Sequence, residues 1–341
     1  MNALTSLSVY RTPWPAPLGV CAASLGDRIL RLQDDAPALL KMLYRFPQLH
    51  IATRNEAVRL HQSASYSPLS VCGDSAAMAL RGPGFAWRAT PRRWALSLAV
   101  LAPLAGIPAR TFLFFDRYGR LLHEVQVPEG TAGMAFEELA CNRLHPDQHQ
   151  VPVPDPLPLH SSAASVDLAA FEQDWSVLAD HREFTALLQR AGISRLGAYC
   201  RVRDKFARAV RLDSVPALLA LAAARRTPVR LQVFSGDGVS GGCEQRYEGV
   251  LPLPVWGAEG VCLRQPGLDF RLLPRQIASV WRVRMPAGRG NNRHIATRIE
   301  LFDHRDQRVL MLSCAGSSSG SELPSWRALL GDCLMPPDAP G

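Results

Sequence analysis

This chain is written twice, and that repetition limits what it can fold into more than any single motif does. Residues 80–92 read LRGPGFAWRATPR and residues 263–275 read LRQPGLDFRLLPR. They share Leu-Arg, Pro-Gly, an aromatic before Arg, and Pro-Arg. RTFLFFD, ending at Asp116, answers TRIELFD, ending at Asp303. Upstream, Pro37-Ala38-Leu39-Leu40 answers Pro216-Ala217-Leu218-Leu219, and downstream Phe136 and Trp326 open similar short helices. Landmarks in one order at a nearly constant offset indicate a duplicated structural unit.

Between the copies, 145–165 carries Pro146, Pro152, Pro154, Pro156 and Pro158, a composition that favours extended backbone and excludes a helix or central strand. The expected organisation is an N-terminal repeat at 1–144, a Pro-rich linker at 145–165, a C-terminal repeat at 166–334 and a tail at 335–341. Each copy reads as a Leu/Ala-rich helix, then alternating apolar runs such as 109–116, 120–127, 276–283, 295–303 and 307–314, then a closing helix. Turns such as Arg117-Tyr118-Gly119 join runs directly, without the strand-helix alternation of a parallel sheet. The expected class is α+β: two tandem repeats, each a large antiparallel β-sheet with flanking helices.

Composition narrows the function. At 341 residues with 47% apolar and 20% charged content, a substantial core is available and wholesale disorder is excluded. The net charge is +8, and Lys41 and Lys205 are the only lysines, so the basic residues are overwhelmingly arginine. Guanidinium groups favour planar anions such as carboxylates and phosphates. The eight cysteines are widely spaced, with no Cys-x-x-Cys pair, and suit a reducing cytosol where each acts as a small hydrophobe. Pro13, Pro15 and Pro17 interrupt any signal-like start, and the apolar stretch from Trp94 to Ile107 is too short to cross a bilayer.

Several motifs point elsewhere and fail on context. Gly236-Asp237-Gly238-Val239-Ser240-Gly241 matches a dinucleotide fingerprint, but the following 243–251 reads as a strand where that fingerprint requires a helix N-terminus. Residues 316–321 (GSSSGS) read as a loop. Arginine pairs at Arg92-Arg93, Arg201-Arg203 and Arg225-Arg226 are dispersed and accompany no nucleic-acid-binding motif, so no nucleic acid is favoured as a partner. Most of the nine histidines fall in the linker, in turns or in strand-like runs. His181 differs: in a helix running from about Val166 to Arg190 it shares a stripe with Val177, Phe184 and Leu188. A core histidine satisfied by a carbonyl and a metal or haem ligand both fit that placement.

Taken together, ATRNEAV (52–58), RTFLFFDRYGRLLHEV (110–125), DWSVLADHREFTALL (174–188), GGCEQRYEG (241–249), PGLDFRLLPRQIASVWRVRMP (266–286) and IELFD (299–303) resemble the bacterial cytoplasmic haemin-transport or haemin-degrading factors, duplicated proteins of about this length. The resemblance implies haem (iron protoporphyrin IX) held against the second repeat. It implies a proximal histidine in a Trp-x-x-Leu-x-Asp-x-His-x-Phe pattern. Trp175, Leu178, Asp180 and Phe184 fill their places, while the histidine slot falls on Arg182 and His181 stands one residue early. One residue turns a helix by about 100°. The apolar stripe selects His181 as the iron ligand. Arg110, with Arg182 or Arg284, is expected to hold the propionates, and Phe112 and Phe184 to sandwich the macrocycle. The basic position after the Val-Arg pair is Met285, and a basic loop late in the family is replaced by the uncharged 315–320. Loss of two charge-assisted contacts would cost on the order of 3 kcal/mol.

The function implied is intracellular haem trafficking and iron acquisition, with a haem importer and a haem oxygenase as partners. The alternatives are haem degradation by this chain itself, and a diverged module that has lost haem.

Overall fold

The computed structural model describes residues 17–66, 69–72, 77–104, 106–130, 133–157, 166–179, 181–236, 242–257, 260–288, 293–316 and 322–334. The first copy contains β1 (Ile29–Arg31), β2 (Leu49–Arg54), β3 (Val58–Ala64), β4 (Ser70–Cys72), β5 (Ala77–Gly82), β6 (Phe85–Ala89), β7 (Leu96–Val100), β8 (Thr111–Phe115) and β9 (Leu121–Gln126), with α1 (Pro17–Ala22), α2 (Ala36–Met42) and α3 (Gly133–Cys141). The second contains β10 (Ala207–Val210), β11 (Val229–Ser235), β12 (Cys243–Gly249), β13 (Val255–Gly257), β14 (Gly260–Gln265), β15 (Leu268–Leu272), β16 (Ser279–Ala287), β17 (His294–Phe302) and β18 (Arg308–Cys314). Its helices are α4 (Leu168–Val177), α5 (His181–Ala191), α6 (Arg195–Tyr199), α7 (Ser214–Ala224) and α8 (Pro324–Cys333).

The described strands form two sheets, ordered β1-β7-β8-β9-β2-β3-β15-β14-β13 and β10-β16-β17-β18-β11-β12-β6-β5-β4. The two orders are identical once β10–β18 are matched in turn to β1–β9. The fold is α+β with two large antiparallel sheets, as the alternating runs require.

The repeat landmarks are turn chemistry. Asp116 Oδ1 accepts the amides of Tyr118 (3.0 Å) and Arg120 (2.9 Å), and Asp303 Oδ1 accepts those of Arg305 (2.9 Å) and Gln307 (2.8 Å). Each carboxylate closes the hairpin that follows its Phe-Asp pair. The left-handed position in that turn is Gly119 (φ 74) in the first copy and Asp306 (φ 59) in the second. Glycine is needed at 119 for space as well, since a Cβ there would lie 2.7 Å from Leu18 Cδ2 and 3.0 Å from Pro154 Cγ. The Pro-Arg landmarks form matching 3₁₀ turns, Pro91–Arg93 and Pro274–Gln276. Residues 243–249 are strand β12, so no helix follows the glycine run, of which 237–241 lie outside the described residues.

By contact the chain divides into two compact units: Met1–Leu157 with Val233–Gln245 and Pro266–Phe270, and Pro158–Gln232 with Arg246–Gln265 and Arg271–Gly341. The division falls inside the proline-rich 145–165 segment. Its early part is a strap tied to the first unit: the Gln148 side chain exchanges two bonds with the Arg31 backbone (2.9 and 2.8 Å), and the Asp155 amide donates to Arg117 O (2.8 Å). Residues 158–165 and the 335–341 tail lie outside the described residues.

The first unit is centred on Trp87, Trp94, Phe112, Phe114 and Phe136, all buried. At its middle the His123 ring meets Tyr66 Oη at 2.6 Å and Thr53 Oγ1 at 3.4 Å. Burial pushes the His123 pKa down to about 3, so it is a neutral core histidine. In the second unit α4, α5 and α6 pack Phe171, Trp175, Phe184, Leu187 and Tyr199 against Val283, Met285 and Phe302 of the sheet.

Candidate functional site

The helix expected from about Val166 to Arg190 is two helices. α4 ends at Val177, Leu178 is extended (ψ 146), and α5 begins at His181. Tertiary bonds hold the break. Glu183 Oε2 accepts the Ala179 amide (2.6 Å), a reach back from the first turn of α5 that satisfies an otherwise orphaned donor. The Gly288 amide, just beyond β16, donates to Ala179 O (3.1 Å), and the Arg293 guanidinium donates to Ser176 O.

The break corrects the stripe on which His181 was placed. Val177 belongs to α4 and is 62% exposed, so only Phe184 and Leu188 remain in line with position 181. Both are buried, whereas position 182 lies in line with the exposed Thr185 and Gln189. The side chains of His181 and Arg182, and Asp180 entirely, lie outside the described residues.

Phe184 is a core ring. Its centroid is 4.4 Å from that of Trp175 and 6.1 Å from that of Tyr199, and the Arg195 guanidinium lies 5.0 Å above it. Phe112 is a core ring of the first unit, 4.6 Å from Phe136 and fully buried. Both expected sandwich residues therefore have their contacts inside hydrophobic cores, Phe184 on the buried side of α5 and Phe112 on β8, which is buried along its whole length. Phe184 instead anchors the first turn of α5.

Strand register assigns the charged residues to faces. Val283 and Met285 pack under α4–α6, with Trp281 against the same cluster. Successive residues alternate faces, so Arg282 and the exposed Arg284 project from the opposite side of β16. Arg284, expected with Arg110 to hold the propionates of a haem ligated by His181, is thus not on the α5 face. Arg298 and Glu300 are, because β17 places Arg298 opposite Val283 and Glu300 opposite Trp281.

Glu300 is fully buried. It accepts from Tyr199 Oη (3.0 Å) and lies 3.3 Å from Arg308 Nη1 and 3.7 Å from Arg195 Nη1. Burial opposes its charge, but Arg308, Arg195 and Arg298 more than offset this and hold its pKa below the usual carboxylate range. Glu248 pairs in turn with Arg230 (3.0 Å) and Arg246 (3.8 Å) and accepts the Gly316 amide (2.7 Å). Arg298 makes no hydrogen bond or close ion pair among the described residues. Burial disfavours its charge; Glu300 and Tyr199 favour it, while Arg195 and Arg230 add to the penalty. Directly across the ladder is Ser313, 6% exposed, whose Oγ has no partner among the described residues.

Sequence reasoning used Arg298 only as part of a repeat landmark. The available signal was the landmark itself, since the first copy has the uncharged Thr111 at that place. Arg110 precedes β8 in the first unit with φ 55, half-buried, and its side chain has no partner among the described residues. A cavity of about 640 Å³ lined by Ala223, Arg226, Tyr247, Leu251, Leu253 and Gln265 includes none of the expected site residues.

Comparison with known proteins places this geometry. A family described as the haemin-degrading HemS.ChuX domain matches residues 192–333. The hemin transport protein HmuS of Yersinia pestis is 25% identical over 316 residues, 91% of this chain and 88% of its own. The crystal structure of holo-PhuS, a heme-binding protein from Pseudomonas aeruginosa, superposes with a TM-score of 0.79 at 25% identity, covering 90% of this chain and 87% of that one. ChuS of E. coli shares the fold, with a TM-score of 0.75 at 23% identity over 92% and 91% of the two chains. The chain is therefore similar along most of its length to bacterial hemin transport and heme-binding proteins, and residues 192–333 match the haemin-degrading HemS.ChuX domain.

Proposed function

We propose that this chain is a cytoplasmic haem carrier: it receives haem from an importer, keeps that amphiphilic, redox-active molecule away from membranes, and passes it to an oxygenase. The observation that carries this reading is the pairing, on one face of the second sheet, of a pinned helix start at His181 with a half-buried guanidinium, Arg298, that makes no hydrogen bond or close ion pair among the described residues. Haem needs a neutral imidazole for iron and cations for its propionates. The orphaned Ser313 hydroxyl beside Arg298 fits an acidic group as well.

In this reading His181 is the axial ligand, and Arg298, Arg182 and Arg110 are the residues that take propionates. Phe184 holds the helix turn that carries His181 without touching the ring. No described helix is long and apolar enough to cross a membrane.

Titrating the purified apoprotein with haemin tests the proposal. The expected result is a saturable Soret shift at one haem per chain that His181→Ala alters in position and weakens. An unchanged spectrum in His181→Ala removes the ligand assignment, and no saturable shift in the wild type removes the function. Because a protonated imidazole cannot bind iron, affinity should fall below about pH 6.

The haemin-degrading description of the matched domain favours a second reading, in which the chain opens the macrocycle itself. Supplying a reductant and oxygen to the haem complex with catalase present separates the two. A carrier keeps its Soret band, and a degrading enzyme loses it to tetrapyrrole products and free iron.

A further inference from the structure

Apolar side chains gather on the exterior of the second unit around the start of β13. Leu253, Val255 and Trp256 are each more than half exposed, and three large apolar residues within four positions form a patch where isolated ones would need no explanation. Leu253 also lines the cavity of about 640 Å³, together with Val250, Leu251 and Ala223 at the end of α7, so patch and cavity form one groove. The groove is braced rather than left over from packing. Tyr247 Oη donates to Val250 O (2.7 Å) and accepts from Gln265 Nε2 (2.9 Å), and Gly249 leaves room for that ring, since a Cβ there would lie 2.7 Å from Tyr247 Oη. β13 is the last strand of its sheet, and Pro252 and Pro254 remove donors from the chain leading to it, so the open backbone is confined to Val255–Gly257.

Arg226 is the charged residue that lines this groove. It lies three residues before β11, where its amide donates to Ala223 O (3.0 Å) and that of Thr227 to Ala222 O (2.9 Å). This turn holds Arg226 at φ 51, a left-handed position at which glycine would relieve strain. Its side chain is exposed and makes no hydrogen bond or ion pair among the described residues, whereas the adjoining Arg225 is held by Asp332 (2.6 Å). The first copy differs: three residues before β2 it has Phe46, buried in the core with φ −97. A strained and solvated arginine beside apolar walls suits a carboxylate carried on an apolar chain.

We propose that the groove and the β13 edge dock an extended segment of a partner protein, with alternate apolar side chains beside Val255 and Trp256 and one carboxylate on Arg226. Added antiparallel to β13, such a segment runs back towards Leu253, so its acid lies on the C-terminal side of its apolar residues. None of these residues is among those assigned to haem, so the inference stands or falls apart from the function proposed above.

The test selects random peptides of about eight residues, displayed on phage, against the immobilised full-length chain, and then measures the synthetic winner, acetylated and amidated, by fluorescence anisotropy in solution. The expected winners alternate apolar residues and carry Asp or Glu towards the C-terminal end. Arg226→Gln should weaken binding about tenfold or more. Replacing the peptide's acid by its amide should weaken binding to the wild type to the same extent, yet leave binding to Arg226→Gln unaffected. Arg226→Gly should lose binding equally while raising the thermal midpoint of the chain, a combination that a structural arginine would not give. Excess haemin should leave the peptide in place. The proposal is overturned if no acidic and apolar sequence is enriched, if Arg226→Gln binds the winner as well as the wild type does, or if haemin displaces it. Peptide affinity that rises about tenfold on deletion of residues 335–341 also overturns it, by making the chain's own tail the occupant.

Discussion

The middle strand of each copy, β8 in the first and β17 in the second, occupies the same place in its sheet with different chemistry. Thr111 pairs with Val100 and Gln126, while Arg298 pairs with Val283 and Ser313. Two residues on, Leu113 is buried among Leu98, Val100 and Phe115, whereas its counterpart Glu300 is buried among Arg195, Tyr199 and Arg308. The first copy satisfies itself: the Thr111 hydroxyl donates to Pro108 O at 2.9 Å, and the face is closed by apolar side chains. The second has no apolar residue at these two positions, and its Arg298 makes no hydrogen bond among the described residues. Duplication thus kept the backbone while the chemistry of this face diverged between the copies.

The comparison can be broken first at the aromatic anchors. Phe184→Ala should destabilise the second unit, and Phe112→Ala the first, by about 3–5 kcal/mol each, read by denaturant unfolding of the ligand-free chain. If either ring instead sandwiched the macrocycle, its truncation would lower haem affinity while leaving the ligand-free stability intact. Next, Glu300→Gln should cost about 3 kcal/mol, since Arg195 and Arg308 lose their buried partner. A change below about 1 kcal/mol in the same unfolding measurement would show that the charged face is solvated and that the contrast with Leu113 is superficial.

The first copy supplies the pH test. Burial opposes the charge of Glu124, but Arg59 and Arg54, at 2.8 and 3.1 Å, bring its pKa down to about 2. A depressed carboxylate stabilises fully above its unfolded pKa and loses that contribution as pH falls through its folded one. Stability should therefore decline by about 2–3 kcal/mol between roughly pH 4.5 and 2, and Glu124→Gln should flatten that segment of the profile. An unchanged acid limb in the variant would assign the decline to other carboxylates. The smallest expected effect is at the hairpin. Asp306→Gly, which gives the second copy the glycine of the first, should stabilise by up to about 1 kcal/mol by relieving the left-handed strain. A lowered melting midpoint would mean that the Asp306 side chain supports the turn.

What the sequence revealed and what it hid divide along physical lines. The duplication was legible because its landmarks are local: a carboxylate that caps its own turn, and a proline that sets a 3₁₀ turn, act over four residues. The helix break after Val177 was not legible, because the sequence there, Leu178-Ala179-Asp180, contains no glycine or proline and the break is held by Gly288 and Arg293, a hundred or so residues away in the chain. Arg284 was misplaced because its strand was read only to 283, leaving its face unassigned, and β16 continues to Ala287. The strand bearing Arg298 was read correctly, but which arginines find carboxylates is settled only by packing. The linker's prolines were visible, while the Gln148 bonds that tie it down depend on β1.

The most direct test of the claim that the second copy carries the ligand is amide hydrogen exchange of the full chain with and without one equivalent of haemin. The account predicts slowed exchange in the first turn of α5 and in β17 and β18 around Arg298 and Ser313, with the matching β8 and β9 amides around Thr111 and Gln126 unchanged. Protection centred on β8 and β9, or none in α5, would contradict it.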